Sequence, residues 1–365
     1  MCFLCQNPEA KTLQTLTSLI CCYCPNLTRL PLISALTSLN CYGCRNLTQL
    51  PSLPVLTSLN CSRCSSLTQL PLMPALTYLD CAQCPNLTHL PKWLSTLTRF
   101  YCAECSNLTQ LPSLPALIEL NCSGCPNLTQ LPSMPALTVL YCRQCPSLTQ
   151  LPSLPALTEL NCSGCSNLTQ LPLMPALTVL YCRQCPGLTQ LPEILALTSL
   201  NCSRCPGLTQ LPSLPVLTCL DCNQCLNLKQ LPDIPFLTEL NCAGCRNLIQ
   251  LPELPILTFL NCAGCTWLYC SPGPWLFPPN PDYEQNVRQL LYLQTWFRRW
   301  ARLKQMQRWV RSEEFNAWYY SPGQPGQLRS EKRWRISCVK RPREDEESGV
   351  RKRSRYEPEG LEADL

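Results

Sequence analysis

The chain has 365 residues, of which 32 are cysteine and 37 proline, with only 14% charged residues and a single histidine. Proline at that density breaks helices throughout, which sets aside an ordinary helical or α/β enzyme. The formal net charge is +6 with a sequence pI near 8.2; that value counts thiols as titrating, so thiols buried in a core would leave the true value higher.

The opening residues, MCFLCQNPEAK, show no basic stretch leading into an apolar run, so no signal peptide is expected. No run of about 18 apolar residues predicts a membrane-spanning helix. Residues 1–19 read as a partial first repeat.

From there to residue 268 the cysteines fall into register. CxxC pairs start at Cys2, Cys21, Cys41, Cys61, Cys81, Cys102 and then every 20 residues to Cys262, fourteen pairs in all. The first interval is 19 residues and the one from Cys81 to Cys102 is 21. A fixed period in the twenties predicts a stack of units, each burying its apolar face against its neighbours.

One unit reads LPALTELNCSGCPNLTQLPS, and from Leu117 it gives L-x-x-L-x-C-x-x-C-x-x-L through Leu120, Cys122, Cys125 and Leu128. Leu117, Leu120 and Cys122 would point inward around a short strand, and Cys125 would turn inward after it. LTQLPSLP is too short and proline-rich for a helix, so it predicts an extended or 3₁₀ return. Two double units, 119–158 and 159–198, are nearly identical.

This pattern resembles the leucine-rich repeat, with cysteine on the inward ladder. The LPxLP phrase and 20-residue length resemble the repeats of secreted enterobacterial effectors. The CPNLTxLP phrasing resembles still more the leucine-rich repeat proteins of large amoeba-infecting DNA viruses (Marseillevirus-like). The resemblance implies a β-rich solenoid, a horseshoe with an extended or 3₁₀ convex side, over residues 20–268.

CxxC is also a zinc and redox spacing. Zinc needs four thiolates converging tetrahedrally, whereas a ladder offers two per unit in a flat stack; neither metal nor cofactor is expected. Ten Asn-x-Ser/Thr sequons sit in the repeat frame, and glycans there would obstruct stacking. The expectation is therefore a protein that is not secreted, with reduced thiols, in the cytoplasm or nucleus of a host cell.

Beyond the array the charge shifts: residues 1–270 carry 11 basic and 10 acidic residues, and residues 271–365 carry 18 and 13. Residues 269–281 are expected to form a C-terminal cap, with Trp267, Leu268, Trp275 and Phe277 over the last unit. Residues 282–327 predict a basic amphipathic helix and turn, starting at Asn280–Pro281 and bearing Arg298, Arg299, Arg302, Lys304, Arg308 and Arg311. Residues 328–365 are charged and apolar-poor, which predicts a disordered tail. Within it Lys340 and Arg341, then Arg351, Lys352, Arg353 and Arg355 across an acidic spacer, match a bipartite nuclear-localisation signal that an import receptor could read.

Catalysis finds little support. His89 replaces the usual glutamine of TQLP, and no phosphate loop, HExxH or GxSxG occurs. Function is expected on the concave face, among the non-apolar strand and turn positions: Tyr101, Glu119, Tyr141, Arg143, Glu159, Tyr181, Arg183 and Arg204. Tyrosine beside arginine is the usual make-up of protein-binding hot spots. The reading is a non-enzymatic protein-interaction module, with a viral role against a host partner as its setting. The alternative is a nuclear nucleic-acid-associated or calmodulin-like-partner-binding protein acting through the basic helix and tail.

Overall fold

The computed structural model of the chain describes residues 14–265. The partial first repeat before residue 14, the cap, the basic helix and the tail with its localisation signal lie outside these residues. Within them, thirteen three-residue strands form one parallel sheet in sequence order, from β1 (Ser18–Ile20) to β13 (Phe259–Asn261). Those that matter most below are β3 (Ser58–Asn60), β4 (Tyr78–Asp80), β5 (Arg99–Tyr101), β6 (Glu119–Asn121), β7 (Val139–Tyr141), β8 (Glu159–Asn161), β9 (Val179–Tyr181) and β10 (Ser199–Asn201). Each strand pairs with the next in strict register, Leu120 beside Leu140 and Leu140 beside Leu160. No described helix is long and apolar enough to cross a membrane.

Leucine and cysteine recur because each coil must fill its interior with seven side chains. In the coil of β6 these are Leu114, Leu117, Leu120, Cys122, Cys125, Leu128 and Leu131, all buried. Full burial of one leucine stabilises by roughly 1.5–3 kcal/mol, and the same seven columns continue from coil to coil in one core. Phe100 takes the strand-leucine place in β5, and Met73, Met134 and Met174 fill the Leu114 column.

Threonine ahead of every strand but β6, where Ile118 stands, forms a second ladder. Thr57 donates both its backbone N–H, at 2.8 Å, and its hydroxyl, at 3.0 Å, to the Thr37 carbonyl one coil earlier. The return side is extended in most coils, as expected. Where KWLSTL replaces the usual SLPAL, a 3₁₀ turn spans Lys92–Thr96. That turn absorbs the extra residue of the 21-residue coil, so β4 and β5 still pair as Tyr78 with Arg99.

The expected thiol columns are present, and every described cysteine is a free thiol. The second thiol of each pair donates to the carbonyl of the first cysteine one coil earlier, from Cys44 onto Cys21 (2.8 Å) to Cys265 onto Cys242 (3.0 Å). Twelve such bonds run the length of the array. Cysteine thus fills a narrow inward position and satisfies a buried carbonyl, which leucine there could not do.

Candidate functional site

Much of the polar surface that the sequence offered as a binding face is structural. The residue before each first cysteine is usually Asn or Asp, and its Oδ1 accepts the backbone N–H two residues on. Asn60 receives the N–H of Ser62 at 3.1 Å and its hydroxyl at 2.7 Å, and Asp221 receives the N–H of Asn223 at 3.1 Å. These Asx turns aim the chain into the CxxC bend. The Asn of the CPNL phrase has a similar duty, since the Asn127 side-chain amide donates to the Ser106 carbonyl of the preceding coil at 2.7 Å.

The bend itself has a feature that the sequence reading missed. In all thirteen coils the third residue of CxxC is left-handed, with φ between 53° and 78°. Only five of them are glycine. The others, including Glu104, Gln144, Gln184 and Arg204, bear a conformational cost of about 1–2 kcal/mol each. The glycines matter most where the preceding coil crowds them: a Cβ on Gly43 would lie 2.7 Å from the Tyr23 ring.

With leucines, cysteines, threonines and most Asx residues committed, three columns remain: the first strand position, the residue after the first cysteine except where, as at Ser62, Ser203 and Asn223, it bonds the Asx side chain, and the left-handed residue where it carries a side chain. A fourth opens only in coils where tyrosine replaces Asx, at Tyr101, Tyr141 and Tyr181. Sequence-predicted contacts occupy all four columns, and the structure sorts them into two groups.

The first group is on β4–β6. The rings of Tyr78 and Tyr101 sit 5.7 Å apart, and Arg99 Nε lies 3.8 Å from Glu119 Oε2. Partial burial and the hydrogen bond to Glu119 hold the Tyr101 hydroxyl well above its ordinary pKa. Glu119 is thus engaged by both neighbours. At the N-terminal end, unforeseen from sequence, Tyr23 and Tyr42 meet edge to face at 5.0 Å and Arg63 stands 5.5 Å from the Tyr42 ring centre.

The second group is on β7–β9. Tyr141 donates its hydroxyl to Glu159 Oε1 at 2.9 Å; partial burial first, then this bond, push its pKa up to about 12. Beside this pair lies a surface depression of about 220 Å³, walled by Arg143 and Gln144 on one side and by Tyr181, Arg183 and Gln184 on the other. Asn161, Ser163 and Gly164 form its floor, and Asn201 reaches its far edge. Tyr141 is not part of the lining, and Arg204 stands apart in its own left-handed turn. His89 is exposed, with Nδ1 2.8 Å from the Thr88 hydroxyl.

The depression has donors in excess of acceptors. Arg143 and Arg183 are exposed and form no ion pair among the described residues, where the ion pair is Arg99–Glu119. The Ser163 and Tyr181 hydroxyls make no hydrogen bond among the described residues. The described residues contain no group of three His, Cys, Asp or Glu side chains suited to a metal ion.

No protein-family model and no curated protein sequence matches the chain. Among solved structures it is similar to YopM, a leucine-rich effector protein from Yersinia pestis, with 29% identity, a TM-score of 0.52, and coverage of 68% of this chain and 78% of that one. The functional domain of InlJ from Listeria monocytogenes, which includes a cysteine ladder, matches at 21% identity and a TM-score of 0.44 over 69% of this chain and 64% of that one. YopM from Yersinia enterocolitica matches at 24% identity and a TM-score of 0.38 over 65% and 62%. Repeat, register and likeness to YopM agree on one architecture: the chain folds as a leucine-rich repeat solenoid with a cysteine ladder.

Proposed function

We propose that the strand face of this solenoid binds a protein partner, and that the protein is an interaction module rather than an enzyme. The observation that carries this reading is the exchange of Asx for tyrosine at Tyr101, Tyr141 and Tyr181. Each exchange gives up an Asx turn and places an amphipathic ring on the solvent side of the sheet, at Tyr141 and Tyr181 with an unpaired arginine two residues on. Aromatic and guanidinium groups of this kind anchor protein interfaces. An extended surface built of repeated strands is the binding form typical of stacked-repeat proteins.

A viral protein acting on a host partner is the setting we favour; its support is the CPNLTxLP phrasing of the repeats. The test replaces Tyr141, Arg143, Tyr181 and Arg183 by Ala together. The circular dichroism spectrum should be unchanged and the main partner recovered by proximity labelling in cells should disappear. An unchanged partner list refutes the proposal.

A further inference from the structure

The solvent side of β6–β9 repeats every two coils, although its core repeats every one. At the four outward positions β6 and β8 carry Glu, Asn, Ser and Gly, whereas β7 and β9 carry Val, Tyr, Arg and Gln. Tall coils therefore alternate with low ones, and the 220 Å³ depression is the trough over β8 between two tall coils. Arg143 and Arg183 hold equivalent places on its two walls, two strand spacings apart, which is about 9.6 Å.

We propose that this trough binds an acidic peptide segment in the polyproline II conformation, running across the strands with an anionic side chain at every third residue. The inference rests on the protein-binding reading above and names the chemistry of the partner.

Charge selects the anion. The lining includes two guanidiniums, four side-chain amides and two unengaged hydroxyls, and no carboxylate. The one nearby acid on the intervening strand, Glu159, is held by the Tyr141 hydroxyl at 2.9 Å and forms no ion pair with either arginine. Spacing selects the conformation. A polyproline II chain rises 3.1 Å per residue with three residues per turn, so every third side chain returns to one face after about 9.3 Å. An extended strand reaches a similar distance in three residues, but its third side chain faces the opposite way. In a helix the same-face separations are about 5.4 Å and its multiples, of which neither the first nor the second matches 9.6 Å as closely. The Tyr181 wall supplies the aromatic surface on which such extended, proline-rich chains pack.

The probes are a fluorescent peptide of four Glu-Pro-Pro units, its isomer with the four glutamates together before eight prolines, the phosphoserine-Pro-Pro counterpart, and single-stranded oligothymidine. Each is titrated by anisotropy against the full chain and against R143Q, R183Q and, as a charge-matched control on the β3 coil, R63Q. The Glu-Pro-Pro peptide should bind, and R143Q and R183Q should each weaken it about tenfold or more, as expected for a charge-assisted hydrogen bond to a carboxylate. R63Q and the native fold, followed by circular dichroism, should be unaffected.

Tighter binding of the phosphoserine peptide through the same arginines would assign the anion to a phosphorylated partner, and tighter binding of the glutamate peptide to an acidic one. The proposal is overturned if neither peptide binds, if the clustered isomer binds equally well, if R143Q and R183Q are silent, or if oligothymidine binds more tightly through the same two arginines. Loss of the cellular partner in the fourfold Ala variant together with silent peptides would remove this inference alone. Retention of the partner together with arginine-dependent peptide binding would show that the recovered partner docks elsewhere and overturn the protein-binding reading, and with it the assignment of that partner's chemistry to the trough.

Discussion

Raising the pH should destabilise the array, because the first cysteine of each pair resists ionisation inside the core. The second thiols Cys64, Cys105, Cys145, Cys185 and Cys245, by contrast, are held below their ordinary pKa by the hydrogen bond from a first cysteine. Hydrogen bonding between thiols of adjacent coils, followed by burial, pushes the first cysteine of each pair well above its ordinary pKa in eleven coils from Cys41 to Cys242. At the last of the described coils, burial first and then the neighbouring Cys265 raise Cys262 to about 12. A raised folded pKa means that the folded state keeps protons that the unfolded chain releases. The stabilisation is therefore complete below about pH 8.5, where free thiols begin to ionise, and is lost as the pH rises above it. One unit higher, each such thiol has cost about 1.4 kcal/mol, and the lowered second thiols offset part of the sum over eleven coils, leaving a loss on the order of several kcal/mol. That is a large share of the stability of a typical domain, roughly 5–15 kcal/mol. Far-ultraviolet circular dichroism in the presence of a reductant should show a cooperative loss of structure within about one unit above pH 8.5, reversed on return to neutrality. The ultraviolet absorbance of thiolate should rise in the same step. A thiolate signal above pH 8.5 larger than the second thiols alone can supply, with the dichroism intact, would refute the argument, since the first cysteines would then be titrating while folded.

Two further outcomes follow from the bends. The Cys125 thiol has a carbonyl acceptor, that of Cys102, whereas the Cys122 thiol is met by the Cys145 sulfur. C125S should therefore be the milder change and C122S should lose about 1–3 kcal/mol more in urea denaturation, the cost of a poorly satisfied buried hydroxyl. Equal losses would count against the bonded ladder. Q224G should raise stability by about 1 kcal/mol, because Gln224 holds φ 56° without the freedom of glycine. A loss of stability would mean that its contact with the Gly244 coil outweighs the strain.

The architecture was legible because a 20-residue period prints the seven core columns directly, and Leu117, Leu120, Cys122 and Cys125 all point as the pattern requires. The left-handed column was not, because Tyr23, Arg63, Gln83, Glu104 and their equivalents replace the glycine that would have marked it. Asn121 and Asn161 stand at non-apolar strand positions of the same face as Tyr141 and Tyr181, but their Oδ1 atoms close Asx turns at 3.1 and 3.2 Å. Polarity alone cannot distinguish a backbone cap from a ligand contact. The trough over β8 was present in the duplicated units as the alternation of YCRQ with NCSG. It becomes a shape only when adjacent strands are known to lie in unshifted register.

That register has a bearing on how such a chain can change its length. Because each inter-coil bond joins equivalent positions, removing or inserting one whole coil hands each donor an acceptor of the same kind, and no new junction has to be invented. A single added residue is absorbed on the return side at Lys92–Thr96. The core is therefore indifferent to the number of coils, while the outward face is not: it counts in pairs. Loss of one coil between β6 and β10 would leave the solenoid intact and bring two tall coils, or two low ones, side by side. Recombination within the array could thus rewrite what the surface recognises while leaving the fold unchanged.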